Sequence, residues 1–238
     1  MRVKKILDSF NEGIKIIAKN PSLVLSGLVL WLVLLGVSSI GKYLAPNFQT
    51  TGANVAWTIA VAFVSFIVGS YFLAGMIGVS RKPKEKTDRR FFANANRFWL
   101  RSFFVILFIL ISSLLIGRIA HYGALYIGRA AGLETANAVI VFVLIYLLGL
   151  LSLLIFLTFS NFMLVIKNLK IHRAVYESIK FVKKEYLATL ILNLVFFALF
   201  FALDWIRGFI GDILLFGLLL PYFVAVLTRF VETVDLKK

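Results

Sequence analysis

Residues Asn137 to Ile166 read NAVIVFVLIYLLGLLSLLIFLTFSNFMLVI, 30 positions without one charged side chain, with Glu134 before them and Lys167 after. Wound as an α-helix, such a run is ~45 Å long at ~1.5 Å per residue. That exceeds the ~30 Å hydrocarbon core of a bilayer. A soluble chain of 238 residues has no interior wide enough to need it. The composition agrees. Apolar residues make up 61 % of the chain and charged ones 16 %, against about 45–50 % and about 25 % in average globular domains. The 24 phenylalanines suit lipid-facing helix surfaces, and the length predicts one transmembrane domain over 1–238.

Working outward, five more apolar runs appear. Towards the N-terminus, Ser102–Gly117 is 16 uncharged residues between Arg101 and Arg118, bases that snorkel to the two interfaces. Asn54–Ser80 forms another span, on which Ser70, Ala74 and Gly78 make a small-residue row suited to close helix approach. The first span begins at Asn20-Pro21, where a proline at a helix start loses nothing. Towards the C-terminus, Leu187–Leu203 and Ile213–Thr228 complete six. The segment 118–136, with His121, Tyr122 and Tyr126, is expected as an interfacial helix outside.

Three basic amphipathic segments precede pairs of spans. In the first, Val3, Ile6, Leu7, Phe10, Ile14 and Ile17 form an apolar stripe among Arg2, Lys4, Lys5, Lys15 and Lys19. It is expected to be retained rather than cleaved, because no small-residue cleavage site follows. The second covers Arg81–Arg101 and holds Arg81, Lys82, Lys84, Lys86, Arg89, Arg90, Arg97 and Arg101. The third is Lys167–Tyr186, with Ile171, Val175, Ile179 and Val182 on one face. EGIKIIAK (12–19), NANRFWLR (94–101) and ESIKFVKK (177–184) align without a gap. Small residues coincide at Gly13, Ala95 and Ser178; bases coincide at Lys15, Arg97 and Lys180, and again at Lys19, Arg101 and Lys184. A weaker echo joins SYFL (70–73), SNFM (160–163) and PYFV (221–224). Spacing of this size predicts stacked units, here 1–80, 81–166 and 167–238. The predicted fold is all-α: six transmembrane helices as three hairpins, each preceded by a basic amphipathic interfacial helix.

The charges set an orientation. Of 26 Lys and Arg, 22 fall on the side of the amphipathic segments and the termini, and 4 (Lys42, Arg118, Arg129, Arg207) on the other. The positive-inside rule then places both termini in the cytoplasm of a cell-membrane protein.

FFANANRFWLRSFFVILF, together with the N-terminal sequence of amphipathic helix, Asn-Pro and apolar run, resembles a broad group of uncharacterised six-helix archaeal and bacterial membrane proteins. That group is similar to the membrane domain fused to some glycerophosphodiester phosphodiesterases. The catalytic barrel of those enzymes has no counterpart here, so the resemblance implies architecture and no catalytic residue.

Cysteine is absent, which excludes disulfides, thiol nucleophiles and thiolate metal sites. No HExxH, GxSxG, P-loop or dinucleotide loop is present. His121 and Glu134 alone make a weak metal pair, and neither cofactor nor metal is expected. Asn193 is expected to bridge to a neighbouring helix. Asp204, Arg207 and Asp212 form a polar cluster in the last outer loop. Juxtamembrane Lys/Arg clusters attract anionic lipid at about 1 kcal/mol each. The expected role is therefore non-enzymatic. Lys15, Lys19, Arg81, Lys82, Arg89, Arg90, Arg97, Arg101, Lys180 and Lys184 would bind anionic inner-leaflet lipid or a cytoplasmic or membrane protein partner, and no nucleic acid. Two other classes stand beside it: a membrane-spanning transporter component, and a lipid enzyme built on the outer cluster. A polar cavity reaching mid-membrane favours transport; a dry, Phe-packed interior favours the first role.

Overall fold

A computed structural model describes residues 2–45, 51–81, 87–132, 135–206 and 208–235, and among them the chain is almost entirely helical, with no strand. Helix α1 (Arg2–Lys19) stops at Asn20, whose backbone leaves the helical region, and Pro21 opens α2 (Pro21–Leu44). Then come α3 (Thr51–Arg81), α4 (Thr87–Ala130), α5 (Thr135–Leu157) and α6 (Ser160–Lys167). Asn168 ends α6 at φ 51°, a left-handed conformation that asparagine tolerates better than most residues. The remaining elements are α7 (Ile171–Lys184), α8 (Tyr186–Asp204), α9 (Phe209–Ile213), a π-helical turn over Leu214–Leu219, and α10 (Leu220–Asp235).

Among the described residues six stretches are long and apolar enough to cross a membrane: Pro21–Leu44, Gly52–Arg81, Arg89–Ala130, Asn137–Lys167, Tyr186–Leu203 and Phe209–Val234. In the fourth, only 6 % of the most apolar window is buried inside the protein. Leu144, Leu147, Leu148 and Leu154 all point outwards. Soluble monomers rarely expose contiguous apolar patches beyond a few hundred Å², so this surface needs lipid around it. The chain is a membrane protein.

Three features differ from the sequence-based expectation. First, the second amphipathic segment from Thr87 on, the third span and the segment after Arg118 as far as Ala130 are not separate helices. They form one 44-residue helix, α4, ~66 Å long. Asn20-Pro21 breaks the chain between α1 and α2, and Glu185 (φ −116°, ψ 36°) breaks it between α7 and α8. Arg101-Ser102, the equivalent junction, carries no proline and stays helical. Second, the 30-residue uncharged run is interrupted at Thr158-Phe159. The Thr158 hydroxyl donates back to the Leu154 carbonyl at 2.6 Å. Phe159 turns inward, fully buried, with ring centroids 4.8 Å from Phe181 and 5.9 Å from Phe230. Third, the sixth span runs from Phe209 to Asp235 through the π turn just before Pro221. Proline has no N–H for the regular ladder, and the Leu220 N–H bonds to the Leu215 carbonyl instead.

The core lies where α3, α6 and α10 meet, at the end of the bundle that carries the amphipathic helices. Met76, Ile77, Phe162, Met163, Leu227 and Phe230 fill it. The row Ser70, Ala74 and Gly78 is buried. A Cβ on Gly75 would sit 2.5 Å from the Phe91 ring, and one on Gly78 would collide with Asn94. Small residues on α3 thus let α4 seat directly on its backbone.

Each amphipathic segment packs on an even-numbered span. α1 lies on α10, the first half of α4 on α3, and α7 on α5 and α6. Equivalent positions are buried in all three: Gly13, Ala95 and Ser178; Ile16, Phe98 and Phe181; Asn20, Ser102 and Glu185. A Cβ on Gly13 would lie 2.6 Å from Val226 Cγ2, and the Ser178 hydroxyl donates to the Phe156 carbonyl at 2.7 Å. On α1 the buried stripe is Ile6, Ser9, Gly13 and Ile16, one position off the expected centre. Leu7 and Ile14 are each 57 % exposed. The wide apolar arc therefore divides into a face against the protein and a face left open.

Candidate lipid-facing site

Lys15, Arg97 and Lys180, and Lys19, Arg101 and Lys184, are all exposed. Helix geometry explains it: positions two and six after the buried small residue fall off the stripe that continues at positions three and seven. Arg97 lies 5.2 Å from the centroid of the Phe98 ring, a cation–π contact that holds the guanidinium beside apolar surface. Lys15 pairs with Glu12 at 3.4 Å, an exposed contact of little energetic weight. Arg89 is exposed and Arg90 half-buried. Lys82 lies outside the described residues.

Arg81 is exposed but reaches a shielded carboxylate. Its Nε stands 3.9 Å from Glu232 Oε1, and Arg229 holds the other oxygen of that carboxylate at 2.8 Å. This arrangement ties the end of α3 to α10. A second tie, Lys5 Nζ to Glu185 Oε1 at 3.0 Å, joins α1 to the start of α8, with side chains 17 % and 6 % exposed. Neither Glu185 nor Glu232 stands out as a partner in the apolar and basic patterns of the sequence. Arg229 and Glu232 are three apart on one helix, a legible pairing signal. The contact across 180 positions between Lys5 and Glu185 has no local signal.

Asn193 does bridge helices, accepting from the Thr158 hydroxyl at 3.0 Å while donating to the Thr189 carbonyl. The outer cluster is only partly visible: Asp212 is exposed, while Arg207 and the side chain of Asp204 lie outside the described residues. Among the described residues no group of three or more His, Asp and Glu is placed to hold a metal. The His121 ring packs edge-on to Phe142, and Glu134 is outside the described residues.

Cavities lie along helix seams. One of about 330 Å³ is lined by Ser22, Ser26, Val29, Tyr71, Phe72 and Phe91 among others. Another of about 410 Å³ is lined by Val33, Ile67, Val68, Tyr71, Phe72 and Trp99. Two further ones follow the seam of α4 and α5. The interior itself is packed with aromatic rings: Phe159, Phe181 and Phe230 at one level, Phe10, Phe196, Tyr222 and Phe223 at another.

A family model described as a domain of unknown function (DUF7847) matches residues 5–233. The chain belongs to this family. The DUF7847 match runs from within α1 to within α10, so the amphipathic helices belong to the family unit as much as the spans do. Neither a curated protein nor a solved structure matches the chain.

Proposed function

We propose that this DUF7847 protein is a non-enzymatic, multi-pass protein of the cell membrane whose basic amphipathic segments grip the anionic inner leaflet. One observation carries the proposal: across three segments, the aligned small residues are all buried and the six aligned bases are all exposed. A fixed protein-facing stripe with a fixed basic flank is what an interfacial helix requires. Both termini would be cytoplasmic, with three hairpins derived from one repeated unit and related to the membrane domain of glycerophosphodiester phosphodiesterases. The uncharged 16-residue centre of α4, ~24 Å long, would sit in the hydrocarbon with its basic ends at the two head-group regions. The aromatic interior supports this role over that of a permease.

The specific observation on the transporter side is the pair of interruptions in the fourth and sixth spans, since broken helices mark substrate sites in many transporters. Here the first break is filled by Phe159 itself.

The test uses full-length protein in nanodiscs of mixed phosphatidylglycerol and phosphatidylcholine. Enrichment of phosphatidylglycerol around the protein should fall with added salt. It should also fall when Lys15, Lys19, Arg97, Arg101, Lys180 and Lys184 are all changed to Gln. Salt-insensitive enrichment, unchanged in the six-fold variant, would refute the proposal.

A further inference from the structure

Two cavities share Tyr71 and Phe72 in their lining and so adjoin, together tracing one groove along the helices. Its floor is α3, from Val79 to Ile67, and one wall is α2, from Ser22 to Val33. These are 12 and 11 residues along their helices, or ~18 and ~16 Å. One leaflet of hydrocarbon is about half of ~30 Å. The groove is therefore one leaflet deep.

The other wall is one face of α4. Arg89, Phe92, Asn96 and Trp99 follow at intervals of three and four, which places them on a single stripe. Phe92 lines the outer part of the groove and Trp99 the deep part. Asn96 accepts from the Tyr71 hydroxyl at 3.0 Å between them, pinning wall to floor. Arg89 is exposed and lies one turn before Phe92 on the same stripe, towards the start of α4. Leu25, Val29 and Phe92 are 61 %, 39 % and 56 % exposed, so the groove opens sideways, away from the bundle. Ser22 Oγ at the mouth is buried without a hydrogen-bond partner.

We propose that this groove holds one acyl chain of an anionic phospholipid from the basic-side leaflet, with Arg89 at its head group. An apolar trough of single-leaflet depth with a cation at its open end matches that molecule in both length and charge. The inference rests on the membrane orientation proposed above and adds a defined site to it.

The experiment reads Trp99, which lies deep in the groove, in a variant with Trp31, Trp57 and Trp205 changed to Phe. The protein is reconstituted in phosphatidylcholine with a minor fraction of chain-brominated phosphatidylglycerol or chain-brominated phosphatidylcholine. Brominated phosphatidylglycerol should occupy the quenching site about fivefold more favourably, the effect of one base near the surface. Arg89→Gln should remove that preference, and Ser26→Phe, which fills the groove, should remove the excess quenching by either lipid. Equal quenching by both lipids in the parent, or quenching unchanged by Ser26→Phe, overturns the proposal. Native mass spectrometry of the unmodified chain guards against misfolded variants: one phosphatidylglycerol should be retained, and lost in Arg89→Gln. Equal retention in both proteins also overturns it. Loss of groove quenching with salt-sensitive enrichment intact fells only this inference. Loss of both fells the lipid-gripping role as well.

Discussion

Replacing Lys5 by Met should loosen α1 from the bundle. Lys5 Nζ lies 3.0 Å from Glu185 Oε1 with both side chains largely shielded, and Glu185 Oε2 has no hydrogen-bond partner. Removing the lysine leaves a buried carboxylate with nothing to compensate it. Breaking a buried pair this way costs about 3–5 kcal/mol. At about 1.4 kcal/mol per tenfold, the undocked population of α1 should rise by roughly two to three and a half orders of magnitude. The native chain has no cysteine, so a single one reports without background. Ser9 on α1 is 1 % exposed, and Ser9→Cys labelled with a soluble maleimide reads undocking as a rate. Lys5→Met should accelerate labelling by about two orders of magnitude. The double variant Lys5→Met/Glu185→Met should return to within about tenfold of the parent, because replacing both charges by apolar groups is often near neutral. Labelling that changes less than about twofold in Lys5→Met would show that the pair does not hold α1, and the docking would then have to come from Ile6, Gly13 and Ile16 alone.

Three more outcomes follow from particular contacts. Gly27→Ala should lower stability by about 1–3 kcal/mol, because the added Cβ meets the backbone carbonyl of Phe216, which has little room to move. Gly36→Ala, with open space around it, should be neutral or gain roughly 0.5–1 kcal/mol; thermal unfolding in detergent compares the two. A double-mutant cycle of Thr158→Val and Asn193→Leu should give a coupling of about 0.6 kcal/mol, and a value near zero would mean that their hydrogen bond does not join the α5–α6 break to α8. Alkaline phosphatase fused after Phe92 should be inactive and one fused after Gly208 active; the reverse pattern would invert the orientation.

The spans were legible because hydropathy alone identifies them: a run such as Asn137–Ile166 has one physical solution. The small-residue row on α3 was legible too, since Ser70, Ala74 and Gly78 repeat at helical spacing. The interruption at Thr158-Phe159 was not. No glycine or proline marks it, and it rests on Phe159 finding Phe181 and Phe230, from distant parts of the chain. The continuity of α4 was hidden for the opposite reason: Arg101 looked like a boundary by charge, yet nothing at Arg101-Ser102 breaks a backbone. The division of the α1 arc into two faces depends on what α10 presents, so periodicity placed its centre one residue off. Lys15, Lys19, Arg89, Arg97, Arg101, Lys180 and Lys184 lie at exposed positions, but the groove on the Arg89 face of α4 needed three helices brought together.

The seating of α1 on α10 joins two parts of the chain that are made far apart in time. At about 5–20 residues per second, Gly13 leaves the ribosome roughly 10–40 s before Val226, the residue it rests against. During that interval the first helix has no berth, and its basic, half-apolar surface is best kept on the lipid face where it emerged. A nascent chain cut short before the sixth span would leave α1 without Val226 and the rest of its seat.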